Sequence, residues 1–282
     1  MTLYLNFRSH AFVGGVVDPF GLEGNGAANP LRLRSLSPAQ LSSRVAGKRV
    51  LFGVHGFNVN MEDGARAFAR LEPLLDLSPS SDIFLGVLWP GDYWVPAINY
   101  PFEGADAMDC GRRLADFCNR ALSQAASFSF LSHSLGARLV LEAIKHLDRP
   151  ARNVALTAAA IKRDCLSGEY ASAFSNAETI SVLASRGDKV LKLAFPVGDS
   201  FASLFGNDRS QPQVALGYEG PQQAIGATKP PWQIPDTAKY DHGDYLPPSN
   251  VTLTAAQAQS RKWEKPAAFM RRAFRGERQD WP

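Results

Sequence analysis

Five compact apolar runs recur along the middle of the chain, each followed by a polar or glycine-containing turn. They are Arg49–His55, Ile83–Trp89, Phe128–Ser132, Asn153–Ala160 and Thr179–Ala184. Runs of this length without alternation fit strands buried on both faces. Between them the apolar spacing changes to a helical one. Gly64–Leu75 carries Ala65, Phe68, Ala69, Leu71 and Leu75 at that pitch. Ala107–Ser123 puts Leu114, Phe117, Cys118 and Leu122 on one face, and Leu135–Leu147 repeats the pattern with Leu139, Val140, Ala143, Ile144 and Leu147. Strand–helix alternation of this kind predicts βαβ crossovers and a mostly parallel sheet with helices on both faces.

The ends of the chain read differently. Thr2–Phe7 and Phe12–Val17 predict an antiparallel edge. Asp18–Gly47 is rich in Gly, Pro, Ser and Asn and reads as a long connection. Pro196–Pro248 is longer and richer still in Gly, Pro and Gln. A loop of that length in a compact domain points to a cap or substrate loop, expected over 196–240. Its apolar side would be Phe201, Leu204, Phe205 and Trp232. Ala255–Arg278 returns to a helical composition. From Arg261 through residue 282 there are seven basic and three acidic residues, read as the solvated face of a packed helix.

Composition narrows the class. The 282 residues are 45% hydrophobic and 20% charged, enough for one large core and too apolar for disorder. A net charge of +3 gives no reason to expect nucleic acid as a partner. No window is apolar for about 18 residues, so no integral membrane association is expected. The start, MTLYLNFRSHAF, has no charged segment leading into a long apolar run, and Cys110, Cys118 and Cys165 are an odd set without metal-like spacing. A cytoplasmic location and no metal site are the expectations.

The sharpest local signal is FSFLSHSLGAR, residues 128–138. An apolar strand runs straight into an amphipathic helix through a turn in which Ser132 and Gly136, two residues either side of Ser134, are small. This is the context of a nucleophile elbow, in which Ser134 is exposed by a strained turn and the Leu135 N–H faces the reacting carbonyl. Upstream, Val54–Asn58 (VHGFN) follows the first strong strand. There Gly56 permits close approach, and the Phe57 N–H would be a second oxyanion donor.

A serine nucleophile needs a base and an orienting acid. Of the histidines after Ser134, His146 lies three turns along the helix that the elbow starts. That leaves His242, in YDHGDYL. Asp188, just past the fifth run in SRGDKVL, is the acid candidate. Asp164 is the alternative, and Asp241 and Asp244 are less suited because they flank the histidine. The aromatic stretch 89–102 follows a strand end, where Trp89, Tyr93 and Trp94 would wall a substrate pocket.

These motifs together resemble the α/β-hydrolase superfamily of serine esterases and lipases, over roughly residues 49–275. The nearest likeness is to a bacterial branch carrying VHGFN and SHSxG. The resemblance implies an α/β-hydrolase fold across residues 1–282 with an eight-stranded sheet. It also implies a Ser134–His242–Asp188 triad, an oxyanion hole at Phe57 and Leu135, and no cofactor. The implied function is cleavage of carboxylic esters with small to medium acyl chains, as a carboxylesterase or lipase. Thioester, amide or lipid-ester hydrolysis uses the same machinery, and a catalytically silent binding module is the non-enzymatic alternative. The expected partner is a small-molecule ester, with a homodimer left open.

Overall fold

The computed structural model describes residues 1–10, 15–91, 100–197, 214–222, 232–277 and 281. Its strands are β1 (Thr2–Arg8), β2 (Val16–Asn25), β3 (Arg32–Leu36), β4 (Arg49–Val54), β5 (Asp82–Leu88), β6 (Ser127–His133), β7 (Ala151–Thr157), β8 (Ala177–Ala184) and β9 (Trp232–Gln233). They form one sheet in the order β3-β2-β1-β5-β4-β6-β7-β8-β9. From β1 through β9 neighbouring strands are parallel, while β1–β2 and β2–β3 are antiparallel. Among the described residues the sheet thus has nine strands rather than eight, the last only two residues long.

Each central strand feeds both faces by simple alternation. On β4, Val50, Phe52 and Val54 join one apolar cluster and Leu51 joins the other. On β6, Phe128 and Phe130 face one side and Leu131 the opposite one. The first cluster is covered by α1 (Pro38–Val45), α3 (Tyr100–Arg120), α4 (Gly136–His146) and α5 (Ala171–Ser175). The second is covered by α2 (Met61–Leu71) and the C-terminal helix Glu264–Arg275. Burial of about 1.5–3 kcal/mol per large apolar side chain on both faces outweighs any single surface interaction described below. Cys110, Cys118 and Cys165 are buried and free. Among the described residues no helix is long and apolar enough to cross a membrane.

Three expectations need correction. Asp18–Gly47 is not a connection: it holds most of β2, all of β3, and α1. These outer strands keep one side in solvent and carry few apolar positions, so composition hid them. Pro19 is tolerated within β2 because β3 pairs only with residues 21–25. Nor is β1 at the edge, since its second side pairs in parallel with β5. The final helical segment is two helices, Ala255–Ser260 and Glu264–Arg275, broken where Arg261 turns left-handed at φ 39°. Residues 11–14 of the second expected strand, and most of the expected cap at 196–240, lie outside the described residues.

The strand order positions the site. From β4 the chain crosses to β5 on one side, then returns past it to β6 on the other. α2 and α3 therefore lie on opposite faces, and their strands diverge at the carboxyl ends of β4 and β6. Ligands of open α/β sheets bind at such a switch point.

Candidate active site

β4 and β6 run in register, with Val54 opposite Ser132. The two turns that leave them therefore meet. Ser134 sits between β6 and α4 at φ 55°, a left-handed conformation that costs a serine on the order of 1–3 kcal/mol. Three hydrogen bonds hold it there. Its N–H donates to Thr157 O (3.0 Å), and its carbonyl accepts from Ala137 N (3.1 Å) and Ala160 N (3.2 Å). The two small neighbours are required for different reasons. Ser132 is fully buried. A Cβ on Gly136 would come within 2.5 Å of the His55 carbonyl. Because α4 begins at Gly136, the Leu135 N–H is among its first amides and points out of the helix start. It has no acceptor among the described residues.

The turn after β4 closes against this elbow. A Cβ on Gly56 would lie 2.8 Å from Ser134 Cβ and 3.0 Å from His133 Nδ1, so only glycine fits. His55 fixes the peptide that follows. Its Nδ1–H donates to Gly56 O (2.8 Å), and its Nε2 accepts from the Trp89 N–H (3.3 Å). Since the peptide is planar and trans, anchoring the Gly56 carbonyl also fixes the direction of the Phe57 N–H, which points the opposite way. Burial pushes the His55 imidazole down to about 3, with Arg8 adding to the effect, so the ring is neutral.

The loop with the candidate base carries His242 in a single turn of 3-10 helix, His242–Asp244. His242 Nδ1 lies 2.7 Å from Asp188 Oδ2, and its Nε2 lies 2.8 Å from Ser134 Oγ. A carboxylate can only accept, so Nδ1 carries the proton and Nε2 receives the serine hydroxyl. Asp188 is fully buried. It also caps α6 (Lys189–Val197), with Oδ1 accepting the Leu191 N–H at 2.9 Å. One oxygen is thus spent on the backbone and the other is aimed at the imidazole.

Of the other nearby acids, Asp241 accepts the N–H of His242 rather than reaching its ring. Asp244 pairs with Lys262 and the Asp241 N–H. Asp164 makes no contact with His242 among the described residues, and His146 pairs with Glu142 at the end of α4.

Trp89 corrects an expectation. It is fully buried, its ring stacks on His55 at 5.6 Å between centroids, and its indole N–H donates to His55 O. Packing holds it under the β4 turn, so it does not wall a pocket. Tyr93 and Trp94 lie outside the described residues. Conversely, His133 escaped notice in the sequence. It is partly buried, and its Nε2 lies 2.8 Å from the main-chain oxygen of His242. Its only sequence signal is its place directly before the candidate nucleophile. Among the described residues no group of three or more His, Cys, Asp or Glu could hold a metal ion.

A parallel sheet with a strained serine at its switch point, facing an imidazole and a buried carboxylate, defines an α/β hydrolase. The chain belongs to the family described as "Alpha/beta hydrolase of unknown function (DUF900)", whose model matches residues 37–254. No curated protein matches it. Among solved structures it is similar to a chain from "Structural and Mechanistic Analysis of Two Prolyl Endopeptidases: Role of Inter-Domain Dynamics in Catalysis and Specificity". The TM-score is 0.41 at 14% identity, covering 97% of this chain and 39% of that one. This chain therefore spans about two fifths of that neighbour's length, and a likeness so distant carries no argument here.

Proposed function

We propose that the protein is a serine hydrolase that cleaves carboxylic esters of small to medium acyl chains through an acyl-enzyme. The observation that carries this reading is the unbroken chain Asp188–His242–Ser134, at 2.7 and 2.8 Å, ending on a serine held at positive φ. Ser134 Oγ attacks the carbonyl carbon while His242 Nε2 takes its proton. Asp188 keeps Nδ1 protonated and balances the imidazolium that forms. The Leu135 and Phe57 amides and the start of α4 receive the developing oxyanion. Collapse expels the alcohol, which takes the proton from His242. Water then repeats the sequence on the acyl-enzyme and frees the acid.

The test is reaction with a fluorophosphonate probe and mapping of the modified peptide. An adduct on Ser134 is expected, together with turnover of p-nitrophenyl esters. Ser134→Ala should abolish the adduct and lower kcat by on the order of 10⁴–10⁶. A folded wild-type protein that takes no adduct, or a Ser134→Ala variant that keeps its activity, overturns the reading. Comparing esters, thioesters and amides in the same assay then fixes the bond cleaved.

A further inference from the structure

The loop that carries His242 is tied down at several points by partners outside the elbow. Ser185 Oγ donates to Tyr240 O at 3.1 Å, and the Lys189 N–H donates to Asp241 Oδ1 at 3.2 Å. Lys262 Nζ donates to Asp244 Oδ2 at 2.8 Å and to Lys239 O at 2.9 Å. The Tyr240 hydroxyl donates to Lys262 O at 2.8 Å. These bonds fasten the loop to the end of β8, the start of α6 and the C-terminal segment. They settle that the loop folds there. None of these partners belongs to β6 or to the elbow that follows it.

Among the described residues, two hydrogen bonds join the loop to the elbow. One is the His242–Ser134 contact itself. The other runs from His133 to the main chain of His242, and a carbonyl can only accept, so His133 Nε2 is the donor. The two rings also lie against each other, tilted by 49° with 4.8 Å between centroids, and the Tyr245 ring lies 5.9 Å from His133. Meanwhile His133 Nδ1 sits beside Gly56, on the oxyanion side. A single side chain thus touches the turn that would hold the oxyanion and the backbone of the candidate base, and it belongs to the residue bonded directly to Ser134.

We propose that His133 is a positioning residue: its Nε2–H, donated to the main-chain carbonyl of His242, sets the distance between the imidazole and the Ser134 hydroxyl. The inference rests on the serine-hydrolase reading for its kinetic consequence, but not for the bond itself. The imidazole can serve this role without becoming a competing acid. Burial holds it down at about 3, with the nearby His242 acting in the same direction. A neutral ring beside His242 leaves room for the positive charge that His242 takes up during the reaction. A cation there would oppose it.

Three substitutions separate positioning from packing. His133→Phe keeps a flat ring and removes the donor. His133→Gln places an amide N–H near the former Nε2, whereas His133→Asn places it near Nδ1, facing Gly56. Fluorophosphonate labelling of Ser134 gives a maximal rate constant, kinact, and a half-saturating concentration, KI, without knowledge of the natural substrate. His133→Phe and His133→Asn should lower kinact by about 10–100-fold, the loss expected for a misplaced reacting group, with KI within about threefold. His133→Gln should recover most of it.

Equal labelling by wild type and His133→Phe overturns the proposal. So does a Gln variant as slow as the Phe variant, or losses that simply follow the fraction of unfolded protein. If the wild type itself takes no label, the hydrolase reading falls separately, and the clamp is decided by imidazole ¹⁵N–¹H spectra. There the His133 Nε2–H resonance should stay fixed from about pH 5 to 8, as expected of a ring titrating far lower. A His133 ring that titrates in that range, or that carries its proton on Nδ1, overturns it.

Discussion

The two ends of the sheet bury carboxylates in opposite ways. At the amino ends of the parallel strands, Asp82 and Glu23 are almost fully covered, and each is met by arginine. Asp82 takes Arg49 from the adjacent strand at 2.6 Å, with the Ser78 N–H and Ser81 Oγ completing its shell. Glu23 takes Arg34 and Arg44 together. At the carboxyl ends Asp188 is covered completely, but its described contacts are one backbone N–H and one imidazole. A carboxylate matched by guanidinium is neutralised and inert. A carboxylate matched by imidazole leaves the proton free to move at the far nitrogen. On the proposed reading, the difference between a brace and a reactive centre lies in the partner, not in the burial.

The largest effect that sharpens this contrast is expected from Asp188→Asn. The amide can present its N–H to Nδ1 and force the proton onto Nε2, where it cannot receive the serine hydroxyl. Labelling of Ser134 should fall by on the order of 10³–10⁴, with little change in melting temperature. A variant that melts early but labels normally per folded molecule would break the comparison. Asp82→Asn is the matched change at the other end. Removing the charge while Arg49 stays half-covered should cost about 1–3 kcal/mol, read as a lower thermal midpoint, with labelling per folded molecule unchanged.

Glu23→Gln should cost less, about 0–1 kcal/mol, because Arg34 and Arg44 are 65% and 43% exposed and solvent screens the pair. Arg44 above all holds the Glu23 carboxyl below its usual range, with Arg34 adding to it. A depressed carboxyl contributes stability above its unfolded value near 4.5, and loses it as pH falls through the lower folded value. The gap between wild type and Glu23→Gln should therefore be full at neutral pH and close progressively below about pH 4.5. Denaturant midpoints at a series of pH values measure it; a gap that widens in acid would show that Glu23 is not held by its arginines.

The same contrast explains what could be read from the chain. The strands β4 to β8 are legible because burial on both faces leaves continuous apolar runs, and the short spacer between β6 and α4 marks the elbow. His242 and Asp188 were legible by order along the chain and by following strand ends. β2, β3 and α1 were not, since an antiparallel flank with a wet face needs few apolar residues and its glycines and proline resemble a loop. Trp89 misled because an aromatic after a strand end reads alike whether it points into a cleft or under a turn. Its destination is decided by His55, a partner 34 residues away. His133 was silent for a related reason: its partner is a main-chain oxygen 109 residues on, and backbone acceptors leave no mark in a sequence.

That separation has a consequence for when the protein becomes reactive. Ser134, Gly56 and Leu135 lie in the turns that leave the adjoining strands β4 and β6. On the proposed reading, the base arrives from a loop 108 residues beyond the serine, pinned by a lysine later still. During synthesis the elbow would exist well before anything could withdraw its proton. On that reading the growing chain is chemically mute, and acquires its reactivity only when the segment carrying His242 and Lys262 settles onto the sheet. Labelling of Ser134 would therefore serve as a clock for completion of folding.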